Sequence, residues 1–195
     1  TVYPSVGLSG VLTDIFNIDS NWLSFLKVRG SYAEVGSPIT RFLSMSTFPV
    51  TSGQPAKRTY AIADNFQAER TRSWEVGADA RLWGGKLNLN ATYYHSMTGN
   101  QVFTPEVPAS APWSTLYLNA GRVDNKGVEL SVELNQNLGP VEWTSNLIYS
   151  RNKNKVVRLL DATYQGYAFK SDKLSVGGNS GVQMWLREGH SIGDI

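Results

Sequence analysis

The chain has 195 residues, 41% of them hydrophobic, and its 18 Lys and Arg against 16 Asp and Glu give a net charge of +2. This balance does not indicate nucleic acid as a partner. The absence of cysteine excludes disulfides and thiolate metal sites. No apolar run reaches the roughly 18 residues that a transmembrane helix requires. A membrane β-barrel is not excluded, because its strands are apolar only at every second position.

The N-terminal region predicts two β-strands. The first is "VYPSVGLSGVL", although Pro4 and two glycines weaken its pattern. A modest link at Thr13–Asn21 leads to the second, Trp22–Gly36, and a long link at Ser37–Glu69 follows it. In the second strand one apolar set alternates with one polar set, as in a sheet with two unlike faces. The apolar set is Leu26, Val28, Gly30 and Tyr32, and the polar set is Lys27, Arg29 and Ser31.

The stretch from Arg70 to Ser96 predicts a β-hairpin around Gly84-Gly85. Two glycines suit a type I′ or II′ turn because they accept positive φ without a Cβ penalty. If Trp83 pairs with Lys86, apolar residues lie opposite apolar residues and polar residues lie opposite polar ones. The apolar pairs are Leu82–Leu87, Ala80–Leu89, Ala78–Ala91 and Val76–Tyr93; the others are Arg81–Asn88, Asp79–Asn90 and Gly77–Thr92.

A second hairpin is predicted between Gly127 and Ser150, with its turn at Gln136–Gly139. Its apolar residues are Val128, Leu130, Val132 and Leu134 on one strand and Val141, Trp143, Leu147 and Tyr149 on the other. Long links are expected at Gly99–Arg122 and Lys153–Asn179, and a less regular strand at Ser180–Gly189. No convincing amphipathic helix is found.

Short and long connections alternate along the chain, and most strand candidates extend about 10 to 14 residues. Outer-membrane barrels have this loop asymmetry, and roughly 9–11 tilted residues cross the hydrocarbon layer. Aromatic residues toward the strand ends suit interfacial girdles. We therefore predict an all-β antiparallel meander that forms part of a transmembrane β-barrel. About seven strands cannot close a wide barrel, so we expect residues 1–195 to be a partial barrel domain.

The polar face is predicted to line an aqueous lumen, since charges there keep their hydration. Its members are Glu75, Asp79, Arg81, Asn88, Asn90, Thr92, Glu129 and Glu133. For any one of them, a solvated wall is the simpler interpretation than substrate contact.

No arrangement of residues predicts an enzyme, a cofactor or a metal site. His95 and His190 lie far apart in sequence, which disfavours a histidine metal site. Glu129 and Glu133 share a strand face but lie roughly 13 Å apart, beyond the spacing of about 5–9.5 Å between glycosidase carboxylates. Gly177–Gly181 has no following Lys and opens no helix, so it does not predict a phosphate-binding loop.

Aromatic residues in two of the predicted long links are the candidates for substrate contact, because aromatic rings stack on sugars and pack on peptide side chains. They are Trp113, Tyr117, Tyr164 and Tyr167, with Phe169 beside them. For each residue taken singly, a loop-packing role is the simpler interpretation. A basic run beside them, Arg151, Lys153, Lys155 and Arg158, is interpreted as a solvated barrel rim near anionic lipid head groups rather than as a nucleic-acid site.

Several stretches resemble the SusC/RagA family of TonB-dependent outer-membrane transporters of Bacteroidetes. They are "NFQAERTRSWEVGADARLWGGKLNLNATYYHSMTGNQ" (Asn65–Gln101), "LNAGRVDNKGVELSVELN" (Leu118–Asn135), "WLSFLKVRGSYAEVG", "SRNKNKVVRL" and "REGHSIGDI". One departure is Ala68, where such segments commonly carry Pro.

The resemblance implies a 22-stranded barrel in the outer membrane with an N-terminal plug that contacts TonB-ExbB-ExbD. It also implies a SusD-like surface lipoprotein as partner and an oligosaccharide or a peptide as substrate. The plug is expected to lie outside this chain, which would be a C-terminal portion of the barrel truncated at both ends.

Two alternative functions remain at this point. One is a TonB-dependent receptor for a metal chelate, which shares the barrel wall but lacks the lipoprotein lid. The other is a soluble β-sandwich carbohydrate-binding module, whose apolar face would be a core and whose charged face would meet water.

Overall fold

The protein is described by a computed structural model that covers residues 2–38, 50–55, 60–64, 66–105, 107–111, 113, 115–179 and 182–192. The predicted all-β fold class is confirmed, with one four-residue helix as the exception among the described residues. The elements are β1 (Ser5–Val11), α1 (Leu12–Ile15), β2 (Leu23–Ser37), β3 (Val50–Thr51), β4 (Gln54–Pro55), β5 (Tyr60–Ile62), β6 (Glu69–Leu82), β7 (Leu87–Phe103), β8 (Thr115–Leu138), β9 (Val141–Arg158), β10 (Leu160–Tyr164), β11 (Tyr167–Ser171), β12 (Lys173–Asn179) and β13 (Val182–Arg187).

The main sheet places β1, β2, β6, β7 and β8 side by side in that order, and β9 pairs with β8. Within the described residues β1 and β9 are edge strands, so the sheet is not closed. One short strand departs from the predicted antiparallel meander: β5 pairs with β8 in parallel. Strand β5 belongs to the link between β2 and β6 and is not one of the meander strands, so it need not run antiparallel to β8.

The chain divides into two compact units. Unit 1 comprises Thr1–Val35, Arg72–Ser96 and Asn125–Asn154, and unit 2 comprises Gly36–Thr71, Met97–Asp124 and Lys155–Ile195. The turns that join β6 to β7 and β8 to β9 belong to unit 1, whereas the connections from β2 to β6 and from β7 to β8 belong to unit 2. The predicted alternation of short and long connections is confirmed.

The β6–β7 turn has the predicted glycine geometry. Gly84 has φ 67° and ψ 26°, Gly85 has φ 90°, and the Lys86 amide donates to the Trp83 carbonyl at 3.4 Å, as in a type I′ turn. Trp83 and Lys86 flank the two glycines as predicted, but they lie outside the strands, which end at Leu82 and begin at Leu87, because Trp83 has φ 49° and Lys86 is helical. The register beyond the turn agrees with the prediction, since Asn90 donates to Asp79.

The β8–β9 hairpin turns later than predicted. Strand β8 continues through Gln136 to Leu138, and the turn is Gly139-Pro140, with φ 69° at Gly139. Asn135 accepts a hydrogen bond from the Thr144 hydroxyl at 2.9 Å, so the ladder persists where the sequence predicted a loop. The turn lies at Gly139-Pro140 because glycine adopts positive φ readily and proline has no amide hydrogen to donate to a strand ladder.

Two predicted long links are partly strands. The Gly99–Arg122 link is shorter than predicted, because β7 extends to Phe103 and β8 begins at Thr115. The Lys153–Asn179 link contains the end of β9, the hairpin β10–β11 and strand β12, which pairs with β13. Ser180–Gly189 therefore contributes a strand, β13, but to a separate two-stranded sheet and not to the meander.

Apolar side chains are distributed unequally between the two units. All buried hydrophobic residues of the described part lie in unit 2: Ala61, Phe103, Trp113, Leu116, Leu118, Ala120, Val156, Leu159, Leu160 and Phe169. In unit 1 the alternating apolar residues of the sheet are exposed or half-buried, and Leu8, Val76 and Leu147 are among the exposed ones. Unit 1 thus has an apolar face that packs against no core of its own.

Candidate functional site

An arginine organises the polar face of unit 1. Arg29 of β2 donates from Nη1 to Asp79 Oδ2 at 2.8 Å and from Nη2 to Thr92 Oγ1 at 2.6 Å. Its Nε lies 3.7 Å from Glu75 Oε1. Strands β2, β6 and β7 are neighbours in the sheet, so residues that are far apart in sequence meet on one face. Three predicted lumen residues are thereby brought together.

A glycine makes room for this arginine. A Cβ built on Gly77 would lie 2.7 Å from the Arg29 guanidinium carbon, so a larger residue at this position would force the guanidinium to shift. Strand alternation predicts that Arg29 lies on the polar face but does not identify it as the centre of the cluster. Its signal was Gly77, since a glycine inside a strand often marks a close approach of another group.

The polar network continues across β7, β8 and β9. Glu133 accepts hydrogen bonds from Asn88 at 2.9 Å and from Asn135 at 2.8 Å, and Ser131 donates to Asn146 at 3.3 Å. A cavity of about 450 Å³ adjoins this network, with Lys27 and Arg81 in its lining.

The remaining predicted lumen residues lie in the same region. The Arg81 guanidinium stands 5.0 Å from the ring centre of Phe25, and Glu129 is exposed on β8. The contacts of this face thus include charge-assisted hydrogen bonds between neighbouring strands of unit 1.

The predicted aromatic residues gather mostly into one cluster in unit 2. The ring centre of Trp113 lies 5.7 Å from those of Tyr164 and Tyr167 and 6.2 Å from that of Phe169. Trp113 is only 8% exposed, so the surrounding rings cover most of the indole. Tyr117 lies apart from this cluster and packs edge-on against Tyr60, with ring centres 6.2 Å apart.

The prediction that these aromatic residues occupy loops is largely wrong. Tyr117 belongs to β8, Tyr164 to β10 and Tyr167 to β11, and only Trp113 precedes its strand. The Lys153–Asn179 link contains the β10–β11 hairpin, and this hairpin packs its aromatic residues around Trp113.

The predicted basic run lies in strand β9. Because side chains alternate along a strand, Arg151, Lys153 and Lys155 share one face and Arg158 lies on the other. All four are exposed, and Arg158 lines a cavity of about 600 Å³ in unit 2.

The two histidines are in different environments. His95 packs edge-on against Trp74, with ring centres 5.9 Å apart, and the carbonyl of His190 accepts a hydrogen bond from the Val156 amide. In the part of the chain that the structure describes, no three His, Asp or Glu side chains are grouped closely enough to hold a metal ion. No helix among the described residues is long and apolar enough to cross a membrane.

Long antiparallel strands with tight turns, one face of networked polar groups and one face of exposed apolar residues define a β-barrel wall. Residues 1–186 match the family described as TonB dependent receptor-like, beta-barrel. The chain therefore belongs to the TonB-dependent receptor β-barrel family. Members of this family are outer-membrane β-barrels that serve as transporters.

Three similar proteins illustrate the match. TonB-dependent receptor P3 of Formosa agariphila is 30% identical over 153 residues, which are 73% of this chain and 15% of that protein. The RagAB peptide transporter has the same fold over 96% of this chain and 20% of its own, with a TM-score of 0.70 and 20% identity. The FrpB iron transporter of Neisseria meningitidis matches 80% of this chain and 20% of its own, with a TM-score of 0.51 and 18% identity.

These matches confirm the predicted resemblance to SusC/RagA-type TonB-dependent transporters. The chain spans 15% of the length of the Formosa receptor and 20% of the RagAB chain.

Proposed function

We propose that this chain is part of the barrel wall of a TonB-dependent outer-membrane importer that takes up oligosaccharides or peptides together with a SusD-like surface lipoprotein. The observation that carries the proposal is the family match over residues 1–186. Energy would reach the transporter through TonB-ExbB-ExbD acting on a plug, and the wall would have no catalytic role.

The two faces of unit 1 support a position between lipid and water. The apolar face exposes Leu8, Val76 and Leu147, whose burial in hydrocarbon is favourable. The opposite face holds the Arg29 cluster, and a charged group at mid-depth on a lipid face costs about 2–4 kcal/mol. Lipid against the apolar face and water against the polar face is the arrangement that avoids this cost.

Three exposed tryptophans support the same placement. Trp83 lies in the β6–β7 turn, Trp143 lies near the start of β9, and Trp22 directly precedes β2. The Trp83 amide donates to the Trp22 carbonyl at 2.9 Å, which brings these two residues to the same end of the sheet. Tryptophan is enriched at both membrane interfaces because its ring is apolar and its N–H is polar. The short β6–β7 turn lies at this end, and outer-membrane barrels have their short turns on the periplasmic side, so we assign this end to the periplasmic interface.

The aromatic residues of unit 2 are proposed as substrate contacts. Tyr117, Tyr164 and Tyr167 are each partly exposed, whereas Trp113 is mostly covered by its neighbours. In this proposal Trp113 orders the cluster and offers a ring edge, and the tyrosines present hydroxyl groups and ring surface to the substrate.

The import function is tested by expressing the full-length protein with and without TonB. We expect the protein to fractionate with outer membranes, to require detergent for extraction, and to support uptake of its substrate only when TonB is present. A freely soluble, detergent-independent protein contradicts the proposal.

Two rival functions have separate tests. The metal-chelate receptor shares the wall, and the likeness to the FrpB iron transporter is its support, at a lower TM-score and coverage than RagAB. Co-purification of a surface lipoprotein with the full-length protein distinguishes the lipoprotein-assisted importer from it. The soluble carbohydrate-binding module predicts that residues 1–195 fold without detergent and bind glycans through Trp113 or Tyr117.

A further inference from the structure

The polar cavity of unit 2 is formed by segments that are distant in sequence. Its volume is about 600 Å³, and its lining includes Asp64 and Gln67 before β6, Asn100 of β7, Asn119 of β8, Arg158 of β9 and Asp161 of β10. All of these residues belong to the same compact unit. Tyr164, a member of the aromatic cluster, also lines it, so the cavity adjoins the cluster around Trp113.

One asparagine fixes two of the cavity walls. Asn119 Nδ2 donates to the Gln67 carbonyl at 2.8 Å and to the Asn100 carbonyl at 2.7 Å, and Asn119 Oδ1 accepts from the Gln67 amide at 2.5 Å. Both donor hydrogens and the acceptor of this amide are therefore used within the protein. Walls that are held in place before a ligand arrives reduce the entropy lost on binding.

The charged groups of the cavity differ from three arginines that are paired with carboxylates. Arg29 and Arg72 in unit 1 and Arg122 in unit 2 each form an ion pair with a neighbouring carboxylate. Arg158, Asp64 and Asp161 form no ion pair and no side-chain hydrogen bond within the described residues. The cavity thus presents one cationic group and two anionic groups to whatever enters it.

This arrangement of charges favours a ligand that carries charges of the opposite signs. A guanidinium binds a carboxylate through two parallel hydrogen bonds, and a carboxylate pairs with an ammonium group. The hydroxyl groups of a neutral oligosaccharide can form hydrogen bonds with Arg158 and Asp161 but offer neither of them an opposite charge, so these bonds are weaker than those with a charged ligand. A ligand that carries both an ammonium and a carboxylate group complements both signs.

We infer that this cavity is a binding subsite for a dipolar peptide-like ligand, with Arg158 receiving the carboxylate and Asp64 and Asp161 receiving the ammonium group. The inference rests on the proposed import function and specifies the substrate chemistry at one place in the wall. Tyr164 contributes a ring surface at the edge of the subsite.

The test measures binding to the full-length detergent-solubilised protein by isothermal titration calorimetry. The probes are tetraglycine with free termini, the same peptide acetylated at its N-terminus and amidated at its C-terminus, and maltotetraose. We expect free tetraglycine to bind at least about tenfold more tightly than the blocked peptide, because each end loses a charge-assisted hydrogen bond on blocking. Maltotetraose is expected to bind more weakly than free tetraglycine.

Variants assign the effect to the cavity. Arg158→Gln and Asp161→Asn are each expected to weaken binding of free tetraglycine about tenfold and to leave the blocked peptide unchanged. Lys155→Gln and Asp172→Asn remove the same charges from exposed positions of unit 2 outside the cavity and are expected to change neither probe. Equal binding of free and blocked peptides, absence of tetraglycine binding, or equal losses in the control variants overturns the inference.

Failure of the subsite can be distinguished from failure of the import function. If uptake depends on TonB but the Arg158 and Asp161 variants bind tetraglycine normally, the importer stands and the subsite fails. If the variants lose tetraglycine binding but uptake is independent of TonB, the subsite stands and the import function fails.

Discussion

Units 1 and 2 share long strands, but they differ in how far their apolar side chains are buried. Unit 2 buries Leu116, Leu118 and Val156 almost completely against its hairpins. Unit 1 leaves Leu8 80% and Leu147 69% exposed. In unit 1 the described residues that are buried include polar Thr13 and Thr92 but no large apolar side chain. An alternating strand therefore does not by itself say what its apolar face contacts; the neighbouring segments decide it.

The largest expected difference between the units comes from removing a buried leucine. Leu116→Ala in unit 2 should lower the free energy of unfolding by about 2–5 kcal/mol, because it leaves a cavity in a packed core. The matched change Leu147→Ala in unit 1 should cost less than Leu116→Ala, because it loses only the transfer of the side chain into detergent and leaves no cavity in a packed core. Urea unfolding of the full-length protein in detergent, followed by tryptophan fluorescence, measures both; equal losses contradict the contrast.

A charge on either face of β8 tests the proposed lipid contact of unit 1. Leu130→Arg should destabilise the protein in phospholipid vesicles by about 2–4 kcal/mol if its face meets hydrocarbon. The neighbouring substitution Glu129→Arg points to the opposite face and should have a much smaller effect, because water solvates the new charge. Unfolding free energies measured in vesicles report the difference, and similar values for the two variants argue against lipid on the apolar face.

The Arg29 cluster offers a smaller effect that is specific to the polar face. Gly77→Ala should cost about 1–3 kcal/mol, because the new methyl group displaces the guanidinium from Asp79 and Thr92. Gly99→Ala is the control, since no atom lies within 4 Å of a Cβ built there. Each variant is also made in an Arg29→Ala background. There the loss of unfolding free energy caused by Gly77→Ala should disappear, because no guanidinium remains to be displaced. A loss that persists would show that the methyl group destabilises the protein in another way.

The smallest effect is expected at the ion pair of Arg72 and Glu34 in unit 1. Arg72 Nε lies 2.9 Å from Glu34 Oε1; the Arg72 side chain is 52% exposed and the Glu34 side chain 12%. Arg72→Gln should change the unfolding free energy by less than about 1 kcal/mol, because solvent screens the arginine end of the pair and the Tyr32 hydroxyl still donates to Glu34 Oε1 at 2.8 Å. Unfolding at low and high salt checks this: a loss that exceeds this limit and is independent of salt would place the pair in a drier environment than its exposure indicates.

The register of the meander could be predicted because it follows from local alternation. Asp79 lies opposite Asn90 as predicted, since a one-residue slip would reverse both faces of the hairpin. The type I′ turn followed from two adjacent glycines. The end of β8 was misjudged at Gln136–Gly139, because a polar stretch can continue a ladder as easily as it can form a loop.

The interior of unit 2 could not be predicted in the same way. Tyr164, Tyr167 and Phe169 have no long alternating pattern around them, so the sequence favoured loops. They form a cluster because two short hairpin strands bring them to Trp113, a residue that lies far from them in sequence. Contacts of this kind depend on tertiary packing and leave little periodic signal.

For this protein, the sequence by itself determined the strands, their faces and the tight turns, because side-chain alternation and glycine conformation act over neighbouring residues. Tertiary structure alone decided which polar residues meet around Arg29 and which charges of the unit 2 cavity remain without a partner. These depend on strands and hairpins that approach each other in space, where a guanidinium crosses a glycine or one asparagine joins two segments.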